Sequence, residues 1–286
     1  MPVKLSAFAD EIDDNFEKQL KGLNENGIEY IEIRGVNGKS VADLSPGEMA
    51  EANDLLNKYK IAVSSIGSPI GKIKITDDFG PHLKLFDNVM EAAKTFGTKY
   101  IRIFSFFIPS GEYAKYRDEV MLRLGVLLER ANANDLILCH ENEREIYGEP
   151  PELCLDIMQH FGGRMRFIFD PANFVVGGFE TYPKAYGLLS EYIEYMHIKD
   201  ADETGIFPAG GGKGKIAEIL SDLINNKNFE GFLTVEPHLS IFSGIDELEG
   251  EGKKNTLVKN KYSSKSEAFA AAANALKNIL NEIGGN

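Results

Sequence analysis

"LILCHENERE", residues 136–145, is an apolar run that ends in one imidazole and three carboxylates. As far as Glu141 it has the composition of a buried strand, yet it closes on more acid than its single Arg144 neutralises. Seven other short apolar runs, rich in Ile, Val, Phe and Tyr, share its character. They are KLSAFA (4–9), YIEIRG (30–35), IAVSSIG (61–67), YIRIFSF (100–106), RFIFD (166–170), YMHIK (195–199) and FLTVE (232–236). Helix-period segments separate them. NFEKQLKGLNENG sets Phe16, Leu20 and Leu23 on one stripe and stops at Gly27, and SPGEMAEANDLLNKY offers Ser45 as N-cap with Pro46 at the first helical position. Further helices are expected over 82–97, 118–134 and 264–284.

Strands alternating with helices make βα units and a parallel sheet. Eight units suit closure into a (β/α)8 TIM barrel, whose usual length is about 250 residues, and the whole chain, 1–286, reads as one such domain. An open doubly wound sheet usually announces a nucleotide with a Gly-rich turn after its first strand; here that place holds DEIDD (10–14). The glycine cluster PAGGGKGK (208–215) follows the seventh strand and reads either as a flexible loop or as an anion contact. Residues 240–261 read as a mobile loop before the last helix.

A net charge of −13 argues against nucleic acid and anionic membranes as partners. No run approaches the roughly 18 apolar residues of a membrane span, and the first residues lack the apolar core of a signal peptide. Cys139 and Cys154, the two cysteines, are expected as reduced thiols of a cytoplasmic protein.

In a barrel the chemistry sits at the carboxyl ends of the strands. The fifth run ends on Glu141, the sixth on Asp170, the seventh carries His197 and the eighth ends on Glu236. Three carboxylates and an imidazole converging there could not stay charged unpaired, and a divalent cation resolves the conflict. Oxygen-rich ligation with one nitrogen suits Mn²⁺ or Mg²⁺, with Co²⁺, Fe²⁺ or Zn²⁺ as alternatives. Alternation along a strand turns Lys199 to the side of His197 and, if the strand continues, His238 to the side of Glu236; Glu143 shares the side of Glu141 but lies in the loop. His140 faces the helices. Glu32, Arg34 and Arg102 point inward, and Glu32 with Arg102 is the expected buried ion pair. Lys199, Arg102, His238 and Glu143 are the expected substrate-binding residues. His82 and His160 are read as packing or surface residues, Asp200 as a helix-side or loop acid, Lys72 as a solvated loop charge, and Glu145, Glu149 and Glu152 as a solvated acidic face.

Through HENEREIYGE (140–149), FDPANF (169–174), MHIKDA (196–201), PAGGGKG (208–214) and LTVEPHL (233–239), the chain resembles the xylose-isomerase-like TIM-barrel superfamily. The resemblance covers nearly the whole chain and points to the sugar phosphate isomerase/epimerase branch, which includes ketose 3-epimerases and inosose dehydratases. It implies a metal held by Glu141, Asp170, His197 and Glu236, with the two glutamates exchanging a substrate proton and Lys199 lining the pocket. The chain departs from the family where Asn173 replaces a frequent histidine and where Gly211 and Lys213 replace acidic residues. No phosphate-binding signature is present. The expected activity is that of a metal-dependent sugar isomerase or epimerase on a small sugar or polyol. An inosose-type dehydratase, a non-catalytic sugar-binding barrel and an abasic-site endonuclease are the alternatives, and a homodimer is the expected assembly.

Overall fold

The computed structural model describes residues 3–239 and 262–284. The loop expected over 240–261 lies outside the described residues. Eight parallel strands close into a barrel: β1 Lys4–Ala7, β2 Tyr30–Ile33, β3 Ala62–Ile66, β4 Tyr100–Ile103, β5 Ile137–Glu141, β6 Arg166–Phe169, β7 Ile193–Ile198 and β8 Phe232–Val235. Their order around the barrel is sequential, and β1 pairs β8 through Ser6 opposite Thr234 and Ala7 opposite Val235. All eight apolar runs therefore became barrel strands, seven of them trimmed by a residue or more, while β7 ends one residue early but starts two residues before its run.

Helices cover the outside. Pro46–Tyr59 starts with the expected Ser45 cap, completed as a capping box by Glu48. The other segments settle as Phe16–Glu25, Phe79–Thr95, Tyr113–Asn132 and Lys265–Gly284. Outward side chains such as Leu138, Phe167, Phe169 and Met196 join the main core against these helices. Inside the barrel, Cys139, Ile168 and Tyr195 form a separate small cluster with Tyr100, Ile137 and Phe232. The strand period thus sorts alternate residues into two cores, and the inward set ends, at the carboxyl rim, in charge. His140 faces outward as expected, stacked on Phe167 and within 2.9 Å of Ser105 Oγ. Cys139 and Cys154 are both buried and free. Among the described residues no helix is long and apolar enough to cross a membrane.

The glycine cluster turns its amides inward, not toward an external anion. Its amides are occupied by the chain's own Asp200, which is fully buried. Asp200 accepts hydrogen bonds from the N–H groups of Gly210 (3.0 Å), Gly212 (3.0 Å) and Gly214 (2.7 Å), and from Ala201 N–H (2.9 Å). A Cβ at Gly212 or Gly214 would stand 2.5 or 2.7 Å from the Asp200 carboxylate, so the approach requires glycine at both places. Asp200 is therefore a structural anchor, not a peripheral acid. Replacing it strands several amides at once, and hydrogen bonds to a charged acceptor are each worth about 1.5–3 kcal/mol. Asp200→Ala is expected to cost about 2–4 kcal/mol in urea melts and to speed hydrogen exchange at Gly212 and Gly214.

Candidate metal centre

Glu141 closes β5, Asp170 directly follows β6, His197 is the penultimate residue of β7 and Glu236 directly follows β8. Each inherits the inward phase of its strand at the rim, and all four are at most 2% exposed. One ligand atom from each lies within 4.8 Å of those of the other three. His197 Nδ1 is 2.8 Å from Glu141 Oε1 and 3.5 Å from Glu236 Oε2. Lys199 Nζ stands between the remaining acids, 3.0 Å from Asp170 Oδ2 and 3.2 Å from Glu236 Oε2. Asp170 also caps the helix Pro171–Val176 through Asn173 N–H at 3.0 Å, which fixes the direction of its carboxylate.

The four expected substrate-binding residues lie in or beside this cluster. Arg102 points inward and reaches Glu141 Oε2 at 3.3 Å. Lys199 lies within it. His238 arrives by another route than strand alternation: β8 has ended, and a left-handed φ of 46° turns the chain so that Nε2 comes 3.2 Å from Glu236 Oε1. Glu143 sits at the edge, 3.2 Å from Lys72 Nζ. Lys72 is not a solvated charge. Its side chain is 5% exposed and lies 4.5 Å from the centroid of the Phe104 ring. The expected Glu32–Arg102 pair is also corrected. Arg102 stands at ion-pair distance from Glu141 and donates to the Gly67 carbonyl, while Glu32 accepts from Tyr195 Oη at 3.1 Å and meets His197 Nε2 at 3.2 Å. Both residues are inward, but each has nearer partners of complementary charge or hydrogen-bonding type.

A family model described as "Xylose isomerase-like TIM barrel" matches residues 20–254. The chain belongs to the xylose isomerase-like TIM barrel family. Solved structures of similar fold span nearly the full length of both chains. A probable 3-DHS dehydratase involved in petrobactin synthesis from Bacillus anthracis is 15% identical with a TM-score of 0.73, covering 96% of this chain and 99% of that one. D-allulose 3-epimerase from Methylomonas sp., in complex with D-allulose, is 15% identical with a TM-score of 0.74, covering 96% of each chain. IOLI protein with a binding zinc atom is 16% identical with a TM-score of 0.72, covering 98% of this chain and 99% of that one. At these identities the likeness is one of fold. No curated protein matches the chain in sequence.

In this xylose isomerase-like barrel the clustered side chains could hold a divalent cation. The donor set is three carboxylates and one imidazole. Two of its oxygens, Glu141 Oε2 and Asp170 Oδ2, are buried and complete no hydrogen bond, although Arg102 and Lys199 stand at ion-pair distance. Such orphaned acceptors in a buried site are what a cation would satisfy. A second group of possible ligands, Glu11, Glu236 and His238, shares Glu236. The Arg34 guanidinium already lies among its acids, 3.3 Å from both Glu11 Oε1 and Glu236 Oε1, and grips Asp10 through two bonds of 2.8 and 2.9 Å. Asp10 and Glu11 were missed as site residues. They stand at the start of DEIDD, in the turn Ala9–Glu11, beyond the end of β1 at Ala7. Asn142 and Asn173 were missed too: Asn142 clasps the Asp170 backbone with bonds of 2.9 and 3.0 Å, and Asn173 Nδ2 donates to the Asn142 carbonyl at 2.9 Å.

Burial and mutual charge pull the proton affinities of the cluster apart. Burial, joined by Glu236 and Glu141, outweighs Lys199 and raises Asp170 from 3.8 to about 7. Burial likewise raises Glu11 from 4.5 to about 8 against the pull of Arg34. For His197 burial opposes the charge, but Glu141 and Glu32 overcome it and lift the ring from 6.5 to about 10. Burial also opposes the charge of Glu141, yet His197 and Arg102 hold it at about 2. A group whose folded pKa is raised binds more protons folded than unfolded, so its contribution is complete below the unfolded value and disappears as pH climbs through the folded one. That window runs from 3.8 to about 7 for Asp170, from 4.5 to about 8 for Glu11 and from 6.5 to about 10 for His197. Glu141 acts in the opposite sense, its contribution being lost as pH falls from 4.5 to about 2. Chelator-treated protein is therefore expected to have a lower urea midpoint at about pH 9 than at about pH 5, and Asp170→Asn is expected to flatten the fall below about pH 7.

Proposed function

We propose that this barrel is a divalent-metal-dependent sugar isomerase or epimerase that moves a proton on a carbon next to a carbonyl. The observation that carries the reading is the convergence of two glutamates, from β5 and β8, on one buried four-residue donor cluster. Glu141, Asp170, His197 and Glu236 would hold the metal. The family and the epimerase among its structural neighbours support a small sugar or polyol as substrate, and the predominance of oxygen donors supports Mn²⁺ or Mg²⁺. A bound cation of this kind polarises a carbonyl and its neighbouring hydroxyl, which acidifies the adjacent C–H.

The chain's own residues supply the rest. Glu141 and Glu236 are both held in the ionised form, so each can accept a proton. They come from strands on different sides of the cluster. A substrate lying between them loses its proton to one carboxylate and regains one from the other on the opposite face, which inverts the carbon. Lys199, held protonated against the pull of burial by Asp170 and Glu236, places positive charge where a carbonyl oxygen would become negative. Arg102 stacks on Phe8 and Phe104, with ring centroids 5.0 Å away in each case, and so presents a fixed donor face beside Glu141. The dehydratase reading uses the same residues, with Lys199 as the proton source for a departing hydroxyl; the fold neighbour that is a probable 3-DHS dehydratase favours keeping it.

Purified protein is expected to carry about one divalent ion per chain, and His197→Ala to lose it on elemental analysis, with affinity falling at low pH because ligands must give up protons. Turnover of a panel of ketoses and inososes in deuterated water is expected to place deuterium on the carbon next to the carbonyl. Glu141→Gln and Glu236→Gln should each cut inversion by about 10²–10⁴-fold, the usual worth of a positioned acid or base. Product formed at full rate without solvent deuterium would overturn the two-glutamate mechanism, and loss of a hydroxyl in the product would select the dehydratase.

A further inference from the structure

The ring of His197 is held from both sides. Nδ1 faces the donor cluster, 2.8 Å from Glu141 Oε1 and 3.5 Å from Glu236 Oε2. Nε2 faces away from it, 3.2 Å from Glu32 Oε2. Phe8 packs edge-on against the ring with centroids 5.1 Å apart, and Tyr195 lies against it at 5.7 Å. Rotation about the last side-chain bond would break both polar contacts, so the two nitrogens keep distinct environments.

Glu32 lies outside the donor cluster. It is on β2, across the barrel from the strands that carry the four ligand candidates, and its side chain has no solvent exposure. Its second oxygen accepts from Tyr195 Oη at 3.1 Å, and Tyr195 Oη is 2.9 Å from Ser65 Oγ. Tyr195 and Ser65 are themselves buried. A carboxylate placed in this way can only accept. Where a cation at the cluster takes the Nδ1 lone pair, the one hydrogen left on the His197 ring therefore belongs on Nε2, facing Glu32.

We propose that Glu32 is the positioning residue of the centre. It fixes the His197 tautomer so that Nδ1 is the coordinating atom, and Tyr195 in turn fixes Glu32. The proposal rests on the metal reading given above. The arrangement is the acid–imidazole–metal relation found behind many metal-bound histidines, in which the outer carboxylate orients the ring and strengthens it as a donor. It also accounts for a fully buried carboxylate that is not a ligand candidate and does not pair with Arg102.

The test is a calorimetric titration of the full chain with Mn²⁺, alongside ¹⁵N-histidine NMR of the Mg²⁺-loaded protein; with five histidines the spectrum is tractable. Glu32→Gln preserves shape but offers Nε2 an amide donor, which favours the proton on Nδ1. It is expected to weaken Mn²⁺ binding by about 10–100-fold at unchanged stoichiometry, the usual cost of losing such a partner, and to shift the His197 nitrogen pattern to the other tautomer. Tyr195→Phe is expected to weaken binding by a smaller factor. The wild-type spectrum is expected to show the His197 proton on Nε2, and it decides the matter alone if Glu32→Gln does not fold. A proton on Nδ1 in wild type overturns the proposal. So does a Glu32→Gln affinity within about two-fold of wild type while His197→Ala loses binding, an outcome that leaves the metal reading standing. Weaker binding by Glu32→Gln with an unchanged tautomer would make Glu32 a packing residue only and also overturns it. Absence of Mn²⁺ binding by wild type removes the metal reading and the proposal with it, and is recognised because wild type and His197→Ala then behave alike.

Discussion

Charge buried at one end of a closed barrel is the constraint that organises this molecule. A carboxylate taken out of water must be matched at close range or give up its charge. Here the acids outnumber the bases, and matching is achieved by sharing. Lys199 serves Asp170 and Glu236, Arg34 serves Asp10, Glu11 and Glu236, and His197 serves Glu141 and Glu32. Each cation is spread over more than one acid, and Asp170 and Glu11 respond by holding their protons into the neutral range. A site so arranged is short of positive charge, which is the electrostatic condition under which a divalent cation gains most from entering.

The fold meets this condition by repeating one device. A parallel strand brings an inward residue to the rim, and the loop that follows must turn sharply without covering it. After β7 the turn is held by Asp200, whose carboxylate gathers the amides of the glycine cluster. After β3, Gly71 adopts a φ of 94° with its α-carbon so close to the Phe104 carbonyl that a Cβ would lie 2.0 Å from that oxygen. Its amide donates to His82 Nε2 at 2.8 Å, and the turn delivers Lys72 to the wall beside Glu143. These loops use internal acceptors in place of solvent, which is why side chains read from sequence as surface charges turn out to be buried.

Much of the architecture was legible because parallel strands are buried on both faces and read as unbroken apolar runs. The four clustered ligand candidates were legible because strand ends are the one place where such a run can close on charge. What alternation gives is a face, not a neighbour. Glu32 and Arg102 both lie inside, but β3 separates their strands, and Glu32 reaches across the barrel interior to His197 and Tyr195 on β7 instead. Asp10 and Glu11 lie in a short helical turn, Ala9–Glu11, where strand parity no longer applies. His238 reaches Glu236 only through a left-handed residue, and the acceptor for the glycine cluster lies ten or more residues earlier in the chain.

The surroundings of the two glutamates also separate their roles under the proposed mechanism. Glu236 is held ionised chiefly by Lys199, with His238 beside it and Arg34 on its other oxygen, and none of these is a candidate ligand of the main cluster. Glu141 owes its low proton affinity first to His197 and then to Arg102. A histidine that coordinates a metal through Nδ1 cannot also carry a proton there, so loading the centre removes the charge that most stabilised ionised Glu141. An incoming cation would replace that charge for both glutamates; Glu141 would keep Arg102, and Glu236 would keep Lys199 and Arg34. Under the proposed mechanism Glu141 would therefore be the stronger base and Glu236, once protonated, the stronger acid, an asymmetry set by which of the two leans more on the imidazole. Under the proposal for Glu32, the proton that His197 would keep in a loaded centre is the one on Nε2, which leaves none on Nδ1 beside Glu141.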